Sequence, residues 1–122
     1  MIETKIQMRF ADVDMLGHVN NVNQQHYFDL GKSDFFRRVI MVSTRTEYRG
    51  QIRMEDPIVV TTCVDRIGHK SFTLRQQIVD TRTREVRTEC TTVLVAFDFE
   101  RQESIEIPAP WREKLASSLH EQ

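Results

Sequence analysis

The sequence has few cysteines and no long apolar segment. The 122 residues include two cysteines, four glycines and three prolines. Cys63 and Cys90 stand apart within β-like runs, where a reduced cysteine behaves as a small core residue. No apolar run approaches the roughly 20 residues of a membrane span, and residues 1–10 lack the apolar core of a signal peptide. We therefore expect a soluble, cytoplasmic protein without disulfides or a membrane segment.

The charge balance argues against a nucleic-acid partner. Net charge is −1 and the sequence pI is about 6.4, so no overall field attracts nucleic acid or anionic lipid. Charged residues make up 29% and hydrophobic residues 39% of the chain, as is usual for a globular protein. The length fits one domain, which we expect to span residues 1–122.

The first part of the chain reads as a strand followed by a long helix. Residues 1–10 alternate between apolar and polar types, as a half-buried strand does. From residue 22 onward the alternation stops and a helical spacing replaces it, which predicts a helix over residues 21–40. The residues that carry this spacing are Gln24, Phe28, Gly31, Phe35, Val39 and Val42.

The rest of the chain reads mainly as strands. Alternation returns in residues 44–53, 58–67, 70–80 and 86–99, and residues 108–122 fit a short amphipathic helix. This order predicts an α+β fold with one long central helix wrapped by a curved, mainly antiparallel five-stranded sheet, and a short C-terminal helix.

The loop between the first strand and the long helix has more polar residues than a turn requires. Residues 9–28 read RFADVDMLGHVNNVNQQHYF, with two aspartates, a Gly-His pair and an Asn-Asn pair before the helix. The first N–H groups of a helix have no intrahelical acceptor, and the helix dipole adds partial positive charge there. We interpret this segment as an active-site loop directed at a helix start that stabilises a developing oxyanion.

The motif in this loop resembles a known family. D-x-D-x-x-G-H-V-N-N at residues 12–21, the following helix, the G-H-K-S-F segment at residues 68–72 and the long last strand resemble the hydroxybenzoyl-CoA thioesterase-like branch of the hotdog-fold superfamily. The resemblance covers about residues 1–108. It implies a hotdog fold that hydrolyses an acyl-CoA thioester at a homodimer interface, usually within a larger assembly such as a dimer of dimers. Coenzyme A is then part of the substrate, and no separate cofactor is expected.

The resemblance also implies roles for residues of the loop. The catalytic aspartate of the family matches Asp14, and the backbone N–H that polarises the carbonyl matches Asn21. Asp14 either attacks the carbonyl or holds water as a general base, and both routes stay open. Gly17 leaves space for the thioester, while His18 positions the loop or moves a proton. A metal site from Asp12, Asp14 and His18 is disfavoured, because no paired histidine spacing supports it.

Two further groups of residues are candidates for substrate binding. Asn20 and Gln24 flank the helix start, and many relatives have a tyrosine in place of Gln24, which bears on acyl preference. Basic residues at strand ends suit the phosphates of coenzyme A, with a serine as a hydrogen-bond donor. This group is Arg66, His69, Lys70 and Ser71, and a second basic cluster is Arg82, Arg84 and Arg87.

Two other functions compete with thioester hydrolysis. A hotdog dehydratase or hydratase needs a histidine and a carboxylate acting together, and the H-V-N-N setting of His18 differs from that arrangement. A non-catalytic acyl-CoA-binding hotdog protein is expected to lack the loop aspartate and to carry a regulatory segment. Asp14 therefore favours the thioesterase.

Overall fold

The structure is a computed structural model, which describes residues 2–8, 19, 21, 24–25, 27–28 and 38–119. These residues form six strands and a C-terminal helix. The elements are β1 (Ile2–Lys5), β2 (Val39–Tyr48), β3 (Ile58–Ile67), β4 (Ser71–Asp80), β5 (Val86–Asp98), β6 (Glu103–Ser104) and α1 (Ala109–Ser117).

The strands form one antiparallel sheet in the order β1-β3-β4-β5-β2, with β6 added to β5. The antiparallel sheet predicted from the sequence is therefore confirmed. The predicted count of five strands omitted β6, a two-residue strand that pairs Glu103 with Asp98. Although β2 precedes β3 in the chain, it pairs with β5 and lies at an edge of the sheet.

The predicted end of the long helix is wrong. Val39 and Ile40 belong to β2, where they pair with Ala96 and Val95 of β5. Valine and isoleucine suit a helix stripe and a strand alike, and β-branched side chains favour the strand when a partner is present. The strand predicted over residues 44–53 therefore began too late. It also ended too late, because β2 ends at Tyr48.

Part of the predicted helix is confirmed as helical. Asn21, Gln24, Gln25, Tyr27 and Phe28 have helical conformation, whereas the rest of the predicted range up to residue 37 lies outside the described residues. The predicted length of the central helix therefore stays a prediction.

The helical residues lie against the sheet. Phe28 is fully buried in a cluster with Ile58, Ile78 and Cys90. Gln76 Nε2, itself buried, donates a hydrogen bond to the carbonyl oxygen of Phe28 at 2.9 Å. Burying one such phenylalanine stabilises the fold by roughly 1.5–3 kcal/mol. We call the face of the sheet that these residues contact the inner face.

The C-terminal helix closes the other end of the core. Leu115 of α1 is buried with Val64, Phe72 and Leu94. The backbone N of Val64 donates to the carbonyl oxygen of Ser118 at 2.9 Å, so the end of α1 is attached to β3. The predicted C-terminal helix is confirmed over residues 109–117. Among the described helices, none has the length and apolar content to cross a membrane.

Candidate active site

The backbone just before Asn21 is hydrogen-bonded to the rest of the protein, whereas Asn21 itself is exposed. Val19 is buried, and its backbone N donates to the carbonyl oxygen of Ile52 at 2.7 Å. Two residues later, Asn21 is helical and exposed. Asp14, Gly17, His18 and Asn20 lie outside the described residues, so their roles stay predictions. Of the predicted catalytic residues, the structure describes Asn21, which is helical and exposed.

Gln24 joins the helix to β5. It is 3% exposed, and its Nε2 donates to the carbonyl oxygen of Val19 at 3.3 Å. Its Oε1 accepts a hydrogen bond from Thr88 Oγ1 at 2.5 Å. Both ends of the Gln24 amide are therefore bonded within the protein. These contacts hold the helix start in place, and the predicted contact of Gln24 with substrate stays a prediction.

Gln25 extends to the edge strand instead. Its Nε2 donates to Thr46 Oγ1 at 3.0 Å and to Tyr48 Oη at 3.1 Å. Gln25 is half-buried, whereas Tyr48 is 43% exposed. The sequence analysis did not select these three residues. One signal in the sequence could have pointed to Gln25. It lies four residues after Asn21, and this spacing places both residues on one face of the helix.

Hydroxyl and thiol groups continue along the inner face beside Gln25. Thr44 Oγ1 lies 3.2 Å from Cys90 Sγ and 3.4 Å from Thr92 Oγ1. Thr46 Oγ1 donates to Cys90 Sγ at 3.5 Å. Thr92 and Cys90 are buried, whereas Thr44 is exposed at the sheet edge. We call this row the polar strip; it comprises Thr44, Thr46 and Tyr48 of β2 with Thr88, Cys90 and Thr92 of β5.

The predicted nucleotide-binding residues lie on or beside the tight loop between β3 and β4. The backbone N of Gly68 donates to the carbonyl oxygen of Ser71 at 2.7 Å and closes the turn. Arg66, His69 and Lys70 are exposed around it. His69 Nδ1 lies 3.7 Å from Glu106 Oε1. The structure therefore places these three basic residues at the surface, on or beside one loop.

The arginines of the second basic cluster form ion pairs with carboxylates of the protein. Arg82 and Arg87 lie 3.0 and 3.2 Å from Asp80 Oδ2, and the Asp80 side chain is fully buried. Arg84 lies 3.8 Å from Glu3. The side-chain hydrogen bond from Arg82 holds the pKa of Asp80 well below its ordinary value, and the same bond raises the pKa of Arg82. These arginines are already paired with carboxylates around the β4–β5 turn. The β3–β4 loop is therefore the better candidate for binding an anion.

The two candidate regions lie far apart along the sheet. Gln24 contacts Thr88, whereas Ser71 pairs with Val95, seven residues further along β5. At about 3.3 Å per residue this separation is roughly 23 Å. Within the residues that the structure describes, no cluster of His, Cys, Asp and Glu side chains can hold a metal ion.

Comparison with known proteins identifies the family. The family model of the thioesterase-like superfamily matches residues 8–116, which is most of the chain. The chain belongs to this superfamily, and the predicted hotdog thioesterase family is thereby confirmed. The predicted enzyme class, thioester hydrolase, is confirmed with it.

Two curated relatives are similar over different lengths. Uncharacterized protein YsmA of Bacillus subtilis (strain 168) is 25% identical over 57% of this chain, which spans only 55% of that relative. Long-chain acyl-CoA thioesterase FadM of Escherichia coli (strain K12) is 24% identical over 93% of this chain and 96% of its own.

Solved structures share the fold. A predicted thioesterase from Bacillus stearothermophilus has a TM-score of 0.91 and 24% identity, covering 98% of this chain and 97% of its own. An aspartate-to-asparagine mutant of 4-hydroxybenzoyl CoA thioesterase, complexed with 4-hydroxybenzoyl CoA, has a TM-score of 0.80 and 20% identity. That alignment covers 92% of this chain and 96% of the other. At these identities the likeness establishes the fold.

Proposed function

We propose that this protein hydrolyses acyl-CoA thioesters to a free acid and coenzyme A. The observation that carries the proposal is that Asn21 is helical and exposed in a chain of the thioesterase-like superfamily. The hydrogen bond of Val19 to Ile52 and that of Gln24 to Thr88 of β5 hold this part of the chain, so the N–H groups of the proposed helix start are oriented before substrate arrives. Relatives and structural neighbours named for acyl-CoA substrates support the choice of thioester.

The helix start acts on the carbonyl. In hydrolysis the carbonyl oxygen gains negative charge, and the backbone N–H of Asn21 donates to it. The helix dipole adds to this stabilisation, and one preorganised donor is worth about 3 kcal/mol. Gly17 leaves space for the thioester beside the helix, His18 positions the loop or moves a proton, and Asn20 contacts the substrate.

Asp14 supplies the attack by one of two routes. In the first, its carboxylate forms a bond to the carbonyl carbon, the C–S bond breaks, and water then hydrolyses the mixed anhydride. In the second, Asp14 accepts a proton from water while the water oxygen attacks, and the C–S bond breaks afterwards. The departing thiol has an ordinary pKa of about 8.5, so neither route needs a dedicated general acid or a cofactor.

The β3–β4 loop is proposed to hold the nucleotide of coenzyme A. Arg66, His69 and Lys70 present positive charge or hydrogen-bond donors at the surface, and Ser71 adds a hydroxyl donor. Coenzyme A has a long pantetheine arm between its thioester and its nucleotide. A separation of roughly 23 Å is within the reach of one extended coenzyme A molecule. Because the polar strip follows the same direction along β5, from Thr88 towards Val95, an acyl group on the strip leaves the nucleotide to the β3–β4 loop of a second copy that shares the site.

The β2 edge is proposed to pair with a second copy of the chain. β2 has ten residues, and its Met41 and Val42 are 44% and 61% exposed, whereas the opposite edge strand β1 has four residues. An exposed edge strand that carries apolar side chains is a site of association. We infer a homodimer through β2, and a dimer of dimers as the larger assembly.

The test is thiol release from a panel of acyl-CoA thioesters, from acetyl through palmitoyl to aromatic acyl groups. Asp14→Asn should lower kcat at least about a hundredfold, the scale expected for loss of a general base. Asp12→Asn is the matched control and should keep most activity. A folded Asp14→Asn protein with wild-type kcat would refute the role of Asp14. Acyl-CoA binding without thiol release from any substrate would favour the non-catalytic binding protein.

A further inference from the structure

Gln25 and Asn21 share one face of the central helix. They are four residues apart, which places Gln25 about 6 Å further along the helix axis. Gln25 reaches β2 through its hydrogen bonds to Thr46 and Tyr48. A thioester whose carbonyl meets the N–H of Asn21 therefore has the Gln25–Tyr48 contact beside the first atoms of its acyl group.

The Tyr48 hydroxyl has a remaining hydrogen-bond donor. Its oxygen accepts from Gln25 Nε2 at 3.1 Å, so its own proton is directed elsewhere. Among the described residues no acceptor contacts that proton, and the side chain is 43% exposed. Gln25 thus orients an exposed phenol whose proton is available to a ligand.

Polarity along the open edge changes with distance from the helix start. Tyr48, Thr46 and Thr44 pair with Thr88, Cys90 and Thr92, so the three lie in one row on the inner face. Met41 follows them, and it pairs with the buried Leu94. An acyl group that extends from the helix start meets hydroxyl groups first and an apolar side chain afterwards.

We propose that Tyr48, oriented by Gln25, selects acyl groups that carry a hydroxyl or keto oxygen a few carbons from the thioester. This inference rests on the proposed acyl-CoA hydrolysis and specifies its substrate class. An oxygen at that position accepts from the Tyr48 hydroxyl. A saturated chain at the same place covers the Tyr48 hydroxyl without offering it an acceptor, and a donor that is buried and left unpaired disfavours such a substrate.

The experiment compares acyl-CoA pairs with the same carbon skeleton. Hexanoyl-CoA is measured against β-hydroxyhexanoyl-CoA and δ-hydroxyhexanoyl-CoA, and kcat/KM is determined by thiol release. We expect wild-type protein to prefer at least one hydroxylated partner by about tenfold or more. In Tyr48→Phe the ratio should fall towards one, because the ring remains and the donor is lost. Gln25→Leu should lower the ratio as well, since the phenol loses its orienting contact.

Thr91→Val is the matched control, because Thr91 lies on the opposite face of β5 and should leave the ratio unchanged. Equal kcat/KM within each pair for wild-type protein would overturn the inference while leaving acyl-CoA hydrolysis intact. A preference that survives in both Tyr48→Phe and Gln25→Leu would also overturn it. If one variant does not fold, the other decides. Absence of thiol release from every acyl-CoA would overturn both this inference and the proposed function.

Discussion

Arg112 of α1 donates hydrogen bonds from Nη2 to the carbonyl oxygens of Gly68 at 3.0 Å and His69 at 3.3 Å. The backbone N of Ile107 donates to the same His69 oxygen at 3.0 Å. Two points of the C-terminal segment therefore hold the backbone of the β3–β4 loop, which carries the basic side chains proposed to bind the nucleotide.

Loss of Arg112 should loosen this loop. We expect Arg112→Ala to raise KM for acyl-CoA about fivefold, the equivalent of roughly 1 kcal/mol, with little change in kcat. Arg112→Lys should recover part of the affinity, because lysine keeps the charge but lacks the guanidinium fork. Arg101→Ala removes only an exposed pair with Glu103 and should leave KM unchanged. A fall in kcat at constant KM for Arg112→Ala would contradict a positioning role.

Direct phosphate contacts should depend on salt. Arg66→Ala and Lys70→Ala are expected to raise KM mainly at low ionic strength, because salt already weakens exposed charge contacts in the wild-type protein. The measurement is KM at several salt concentrations, again with Arg101→Ala as the control. Unchanged KM in both variants at low salt would place the nucleotide elsewhere.

The Asp80 cluster should make stability depend on acid pH. Because Asp80 has a lowered pKa in the folded protein, its ionised form stabilises the fold above the unfolded pKa of about 3.8. This contribution is lost as pH falls below about 4 towards the lower folded pKa. We expect Asp80→Asn to lower Tm by several degrees at neutral pH, and the difference from wild type to shrink below about pH 4. Glu85→Gln, at an exposed partner of Arg87, is the control and should change Tm little. A constant difference in Tm across that range would exclude this explanation.

The β2 edge provides a test of assembly. Val42→Asp introduces a charge on the exposed edge and should shift the dimer towards monomer, measured by light scattering at micromolar concentration. Phe99→Asp is the matched control, since Phe99 is also about half exposed but lies outside β2. A wild-type protein that is monomeric at these concentrations would refute the proposed interface.

Much of the sheet could be predicted from the sequence because alternation is a local property. Side chains of a strand point alternately to opposite faces, so one buried face produces a period of two in the chain itself. The range predicted for β3 matches Ile58–Ile67, and those for β4 and β5 agree to within one residue. The loop motif at residues 12–21 likewise indicated the superfamily, because its residue types and spacing are read directly from the chain.

Other features depended on partners distant in sequence. Val39 and Ile40 carry no local signal that separates helix from strand, and only pairing with β5 makes them extended. Gln24 and Gln25 are adjacent identical residues, yet one is bonded to buried Thr88 and the other to exposed Tyr48. The two residues differ because neighbouring helix positions point about 100° apart, and the sheet beneath them changes from a central strand to an edge. The sequence by itself therefore determined the family and the strands β3, β4 and β5, whereas the tertiary structure decided the extent of β2 and which polar side chains lie at its edge.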